Sequence, residues 1–151
     1  MSGSHDMQSY SRRLQSSTRA EKYASRFDRG SRQRIDRREQ RAVRAIFSDL
    51  KECRSVLDVP CGAGRFLATL AQGGRTVLEM DVAFEILTFA QKAAVKARAT
   101  AHAVQGDASR LPLIGGAVDC VFSNRLLHHI LPPTERIAVL RAYGADKSKR
   151  K

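Results

Sequence analysis

Apolar positions in this 151-residue chain gather into short runs, each closed by glycine, proline or a charged residue. Residues 55–59, 76–81, 101–105 and 118–123 are apolar runs of strand length. Between and around them, residues 31–50, 64–72, 83–98 and 134–142 read as helices. Pro132-Pro133 marks the entry to the last helix, with Thr134 as its expected N-cap and Glu135 in the first turn. Strands alternating with helices imply right-handed crossovers, hence an α/β fold with a doubly wound parallel sheet. Val118–Phe122 is apolar enough for an interior strand. No internal repeat occurs.

The N-terminal third has a different pattern. Tyr23, Phe27, Ile35, Ala42, Val43, Ile46, Phe47 and Leu50 recur at mixed intervals of three, four and eight residues, with arginines between them. From Ser31 onward this predicts a basic amphipathic helix with its apolar face on the sheet domain. Gly30-Ser31 separates it from a shorter helical piece around Arg19–Phe27. Charge follows the same division. Residues 12–44 hold 12 Lys and Arg against 4 acids, residues 45–140 hold 10 against 9, and residues 141–151 hold 5 against 1. The centre of the chain is nearly neutral and both ends are basic. An arginine-rich helix face is most often solvated surface, and nucleic acid, anionic lipid or a phosphorylated substrate are its other candidate partners.

Chemistry enters at Asp58-Val59-Pro60-Cys61-Gly62-Ala63-Gly64, between the first strand and the next helix. In an open α/β sheet, this turn is where a nucleotide-like ligand comes closest to the backbone. Gly62 and Gly64 lack a Cβ, so they permit a tight turn and a close ligand. Asp81 ends the second strand about 20 residues after the turn, where a carboxylate can accept both hydroxyl protons of a ribose. The dinucleotide fingerprint G-x-G-x-x-G fails, because Leu67 holds the third glycine position. An NAD-dependent enzyme is therefore disfavoured.

Further segments follow: Val104-Gln105-Gly106-Asp107-Ala108 with Leu111-Pro112, then Val118-Asp119-Cys120-Val121-Phe122-Ser123-Asn124 with Leu127-His128-His129. Together with the glycine turn and Asp81, they resemble, in order and spacing, the class I S-adenosylmethionine-dependent methyltransferases of the small-molecule branch. The resemblance covers roughly residues 40–141. It implies a Rossmann-like fold with spatial strand order 3-2-1-4, of which this chain holds the N-terminal part with a preceding basic helix, so that Val118–Phe122 would stand at an edge. It also implies S-adenosyl-L-methionine as cofactor and methyl transfer to a small-molecule acceptor. By the same resemblance, Asp58, Pro60, Cys61, Gly62 and Gly64 would border the methionine part of the cofactor. Asp81, with Val82 beside it, would take the ribose. Asp107 would accept from the adenine amino group, with Ala108 against the ring. Ser123 and Asn124 would lie near the departing methyl group. The chain departs from the family pattern at Pro60 for the first glycine, at Ala83-Phe84 for Ser-Pro, and at Val118 for Phe. Pro60 removes a backbone donor and fixes φ. No catalytic base is singled out.

His128 and His129 have no Cys, Asp or Glu at ligand spacing, so they read as structural and no metal site is expected. Cys61 reads as a passive small residue. Cys53, Cys61 and Cys120 are scattered and odd in number, which argues against a disulfide framework. The N-terminus has no apolar signal-peptide core and no run approaches a membrane span, so a cytoplasmic protein is expected. The organisation expected is a basic, partly disordered segment over 1–30, an incomplete cofactor-binding domain over 31–141, and a basic tail over 142–151. After Arg141 the sequence has no apolar alternation that could supply the later strands of the family fold. The expectation is therefore a truncated form with its fourth strand open to self-association. A catalytically inactive fragment, or a basic module binding nucleic acid or a protein partner, is the competing reading.

Overall fold

The computed structural model describes residues 17–27, 30–130 and 132–144. Within these, α1 (Ser17–Ala24) runs into a 3-10 turn (Ser25–Phe27), and α2 (Gly30–Asp49) precedes β1 (Ser55–Asp58). Next come α3 (Leu67–Leu70), β2 (Thr76–Asp81), α4 (Phe84–Ala97), β3 (Ala101–Gln105) and β4 (Cys120–Phe122). A 3-10 turn (Leu127–His129) and α5 (Pro133–Gly144) follow. The sheet has four strands in the order β3-β2-β1-β4, and all its pairs are parallel. The expected topology is the observed one.

Parallel strands covered on both faces must be apolar on both, and the core divides accordingly. Val56 and Val77 share one face with Val43 and Phe47 of α2 and with Phe66, Leu67 and Leu70. Leu57, Val59 and Met80 share the other with Ala108, Leu126, Ile130 and Val139. Phe122 joins the α2 side, its ring edge-on to Phe66 at 4.9 Å and to Phe47 at 6.2 Å.

Several boundaries moved for identifiable reasons. The helix expected over 64–72 is reduced to Leu67–Leu70, because the glycine turn continues as turn up to Phe66. The fourth strand is shorter than 118–123, since Asp119 serves as a clamp instead of a ladder residue. Its Oδ2 accepts from Arg54 N, Ser55 N and Ser55 Oγ at 2.8–2.9 Å, fixing the start of β1 against the entry to β4. Thr134 is not the cap of the last helix. Pro133 already lies inside α5, and the Pro132 carbonyl accepts from Arg136 N at 3.3 Å, which puts Pro132 at the cap position. The basic tail expected from residue 142 begins inside α5, which continues to Gly144; residues 145–151 lie outside the described residues.

The apolar-face expectation for the long basic helix holds only for its C-terminal half. Val43 and Phe47 are buried, whereas Ile35 is 44% and Ile46 60% exposed. The N-terminal half docks through polar groups. Arg65, just after the glycine turn, pairs with Asp36 at 2.8 Å and Glu39 at 2.7 Å. Arg125, just after β4, reaches Glu39 at 2.6 Å. Gln40 Nε2 donates to the Arg65 carbonyl at 2.8 Å, and Gln40 Oε1 accepts from Thr69 Oγ1 at 2.6 Å. Burial pushes the Glu39 carboxyl up, but hydrogen bonds from Arg125 and Arg65 outweigh it and leave it below its ordinary value. Replacing Arg65 with Met should cost about 1–2 kcal/mol, more than an exposed pair, because Asp36 and Glu39 lose a partly buried partner. Urea unfolding measures the cost, and no shift in midpoint would mean that α2 is held by Val43 and Phe47 alone.

Candidate functional site

The first three strands progress outward from β1, and the chain then crosses back to place β4 on the other side of β1. Beyond the carboxyl ends of β1 and β4 the winding therefore reverses, the position where such sheets open a ligand crevice.

Leaving β1, the backbone folds across the end of β2. The Val59–Pro60 peptide is cis, Cys61 N donates to Met80 O at 2.9 Å, and Gly62 N donates to Asp81 Oδ2 at 3.0 Å. Gly62 (φ +57°) and Gly64 (φ +74°) both adopt the left-handed backbone that favours glycine. A Cβ on Gly64 would stand 3.0 Å from Ala90 Cα, so the turn also needs glycine to lie flat on α4. At Gly62 the nearest atoms to a Cβ belong to the Tyr23 ring, 3.4 Å away. Tyr23 is carried by α1, whose Ala20 is buried against Ala83 and Ile86. The Arg26 guanidinium lies 3.8 Å from the centre of the Tyr23 ring. The short helix α1 thus lies over Gly62 of the glycine turn.

Asp81 holds the turn in place. Oδ2 accepts from Gly62 N and Oδ1 from Ala83 N, each at 3.0 Å. Burial pushes its carboxyl up to about 6, against the pull of these backbone amides. Val82 follows, its carbonyl accepting from Gln105 Nε2 at 2.9 Å. Asp58, at the end of β1, is 1% exposed, and its Oδ2 has no hydrogen-bond partner among the described residues. Burial, then the charges of Glu79 and Asp81, hold it well above the usual carboxylate range, with Arg65 opposing.

After β3, Gly106 packs where a Cβ would be 2.8 Å from Met80 Sδ. Asp107 Oδ1 accepts from Ser109 N at 2.8 Å and Ser109 Oγ at 2.7 Å, and Ala108 is buried on the α5 side of the sheet. After β4, Ser123 is exposed and Asn124 half-buried. Ser123 Oγ lies 3.4 Å from Tyr143 Oη, which also donates to Val59 O at 3.4 Å, so α5 ties the β4 exit to the β1 exit.

Of the residues singled out from sequence, Gly62 and Asp81 are in direct contact, and Asp58, Pro60, Cys61 and Gly64 belong to the same turn. Asp107 and Ala108, and Ser123 and Asn124, occupy the exits of the two flanking strands. Cys61 is buried and its thiol is pushed well above its ordinary value by burial and by the carboxylates around it. The sequence reading passed over Tyr23, Tyr143 and Glu79 as site residues. For Glu79 a signal was available, a carboxylate in the middle of an otherwise apolar parallel strand. His128 and His129 have ring centroids 3.9 Å from one another, in a 3-10 turn. Among the described residues, no group of three or more His, Cys, Asp or Glu is arranged to hold a metal ion.

Comparison with known proteins agrees with this geometry. Residues 56–145 match the family model described as a methyltransferase domain. An uncharacterized 37.1 kDa protein in transposon TN4556 of Streptomyces fradiae is 32% identical over 108 residues, covering 67% of this chain and 31% of that protein. The malonyl-[acyl-carrier protein] O-methyltransferase of Pectobacterium atrosepticum is 36% identical over 69 residues, 46% of this chain and 26% of that enzyme. The chain thus spans a third or less of the length of the curated relatives it matches. Among solved structures, magnesium protoporphyrin IX methyltransferase from Synechocystis PCC 6803 with bound SAM superposes with a TM-score of 0.68 at 20% identity, over 91% of this chain and 70% of that one. Phosphoethanolamine N-methyltransferase 1 of Haemonchus contortus superposes with a TM-score of 0.64 at 24% identity, over 93% of this chain and 29% of that one. A four-stranded parallel sheet with reversed winding, a glycine turn tied to the acid ending β2, and a family match over more than half of the sequence agree: the chain belongs to the methyltransferase-domain family and has the class I methyltransferase fold.

Proposed function

We propose that this chain is the cofactor-binding part of an S-adenosyl-L-methionine-dependent methyltransferase acting on a small-molecule acceptor. The observation that carries the reading is the Gly62–Gly64 turn joined to Asp81, with Asp58 Oδ2 buried and unpartnered beside it. That oxygen suits a ligand ammonium or an ordered water, so the residues present fit the cofactor. Each Asp81 oxygen accepts one backbone amide and retains a second lone pair for a ribose hydroxyl. Asp107, with Oδ1 engaged by Ser109, keeps Oδ2 for the adenine amino group, and Ala108 would back the ring. Ser123 and Asn124 would face the transferred methyl. Bound S-adenosyl-L-methionine would supply a methyl group already activated by its sulfonium leaving group. The protein's share of the work is then to orient the acceptor and exclude water, and Tyr23 on α1 is in position to close the turn.

Residues 31–141 make up the binding unit in this proposal, and α1 is laid across it. The open edge of β4, which pairs only with β1 among the described residues, is the place for the remaining family strands or for a second copy. No helix among the described residues is long and apolar enough to cross a membrane. That fact and the free cysteines Cys53, Cys61 and Cys120 support a cytoplasmic enzyme. The exposed arginines of α2 are read as solvated surface in preference to a nucleic-acid site.

Calorimetry with S-adenosylhomocysteine tests the reading. Binding in a 1:1 ratio is expected, and Asp81→Ala should weaken it about 10–100-fold through loss of a charge-assisted hydrogen bond. Tighter binding of NAD than of S-adenosylhomocysteine would overturn the assignment.

A further inference from the structure

Glu79 is the one carboxylate near the glycine turn for which the family pattern offers no role. It lies in the middle of β2, paired across the sheet with Asp58 on β1 and with Ala103 on β3. Alternation along β2 puts its side chain on the same face as Asp81, and the strand register puts it on the same face as Asp58. It is 1% exposed, and among the described residues neither Oε1 nor Oε2 has a hydrogen-bond partner at bonding geometry, although the Cys61 thiol approaches closely enough to pull its carboxyl down. Its polar neighbour is the Cys61 thiol, whose own hydrogen bond goes to the Gly62 carbonyl at 3.4 Å.

Three buried carboxyls therefore stand together at Asp58, Glu79 and Asp81, with unpartnered oxygens on two of them. The other titratable groups nearby do not neutralise the cluster. Arg65, beyond the turn, acts on Asp58 but is paired with Asp36 and Glu39. Tyr143 and Asp107 approach from the α5 side, Tyr23 stands over Gly62, and α4 and β3 contribute Leu87, Ala90 and Ala103 around Cys61. Isolated buried anions are costly, so such a cluster either keeps protons or receives a cation.

We propose that Glu79 makes the site sensitive to the charge of its ligand: its carboxyl gives a proton to solvent when the sulfonium form of the cofactor occupies the turn beside Asp58, and takes one back when the neutral thioether product stands there. This rests on the cofactor assignment above. The methyl donor and its product carry the same amino-acid and adenosine groups and differ by the methyl group and its sulfonium charge. Any difference in proton release between them thus reports the methyl sulfonium and no other part of the ligand. Glu79 is a positioning residue in this scheme, acting through Asp58 and the field of the cluster. The arrangement favours retention of the donor and release of the product.

In the free protein, burial raises the Glu79 carboxyl to about 8, so at neutral pH it has a proton to release. A ligand that lowers that value binds more tightly as pH rises toward it. Titration calorimetry of the full chain in buffers of different ionisation enthalpy counts the protons. At about pH 7.5, S-adenosyl-L-methionine should release roughly 0.3–0.8 proton more than S-adenosylhomocysteine. Between about pH 6 and pH 8 its affinity should rise by up to about tenfold per pH unit, while that of the product stays nearly level. Glu79→Gln, which keeps the shape and removes the proton, should abolish most of both differences. Infrared difference spectra of the wild type give the same answer without a variant: a protonated-carboxyl band should be lost on adding the donor and kept on adding the product. Equal proton counts for the two ligands, or a difference undiminished in Glu79→Gln, would overturn the proposal while leaving the cofactor assignment intact. Failure of both ligands to bind would overturn both.

Discussion

Replacing Gly64 with alanine should destabilise the protein by about 2–4 kcal/mol, a large share of the roughly 5–15 kcal/mol that holds a domain folded. Two costs add at this position. The backbone sits at φ +74°, which an L-residue with a Cβ adopts only at a penalty. The new methyl would also meet Ala90 Cα at 3.0 Å and Ala93 Cβ at 3.2 Å. The first of these is helix backbone, so relief requires α4 to move away from the turn. Gly74 separates the two costs, because it has φ +77° but nothing within 4 Å of a Cβ. Gly74→Ala should therefore cost only about 1 kcal/mol, the conformational part. Urea unfolding of the two variants measures both values. Equal destabilisation would mean that the turn does not bear on α4, and with it that the seat of the candidate site is looser than the geometry implies.

Stability without ligand should fall as pH rises from about 4.5 to about 8, with the buried carboxyls of Glu79, Asp81 and Asp58 as the reason. The Glu79 carboxyl moves from an ordinary value of 4.5 to about 8 on folding, chiefly through burial. Asp81 moves from 3.8 to about 6 for the same first reason. A carboxyl raised by folding binds its proton more tightly in the native state. Its stabilising contribution is complete below the unfolded value and is lost as pH climbs through the folded one. Asp81 thus acts at the lower end of the window and Glu79 across most of it. Glu39, held below its ordinary value, has the opposite sign, but its contribution changes in more acidic solution. Together the buried carboxyls should lower Tm by roughly 10–20 °C between about pH 5 and pH 8. Glu79→Gln should leave Tm little changed at the acid end and raise it at the alkaline end. A Tm that rises steadily over this interval in the wild type would show that the carboxyls are ionised and solvated at neutral pH.

The same residue shows where sequence reasoning stops. Within the run Thr76–Met80, Glu79 is one polar residue among apolar ones, and its burial depends on α4 covering that face of the sheet. Its neighbour depends on the β1–β2 register, which pairs it with Asp58 across 21 positions of sequence. A shift of one residue would turn it to the opposite face. Tyr23 is similar: its periodicity marks it as a helix residue with an apolar side, but Gly62 lies far from it in the sequence. Only the packing of Ala20 on Ala83 and Ile86 brings the ring over the turn.

Local signals alone determined a good deal. Short apolar runs closed by glycine or an acid identify the strands, because a parallel strand must be buried on both faces. Their alternation with helices fixes the handedness of the crossovers, while the order β3-β2-β1-β4 was expected from the family resemblance of the motifs. Gly62, Gly64 and Asp81 were legible because backbone conformation and strand-end chemistry each demand a particular residue type at a fixed spacing. What the tertiary structure decided is which surfaces meet. The apolar periodicity of the long basic helix predicted one continuous buried stripe, but only Val43 and Phe47 reach the core. The rest of that helix is held by Asp36, Glu39 and Gln40, through a network with Arg65, Thr69 and Arg125. Periodicity reports which side of a helix is apolar, whereas docking depends on the partner surface. Here that surface is the polar exit of the glycine turn and of β4, assembled from segments distant along the chain.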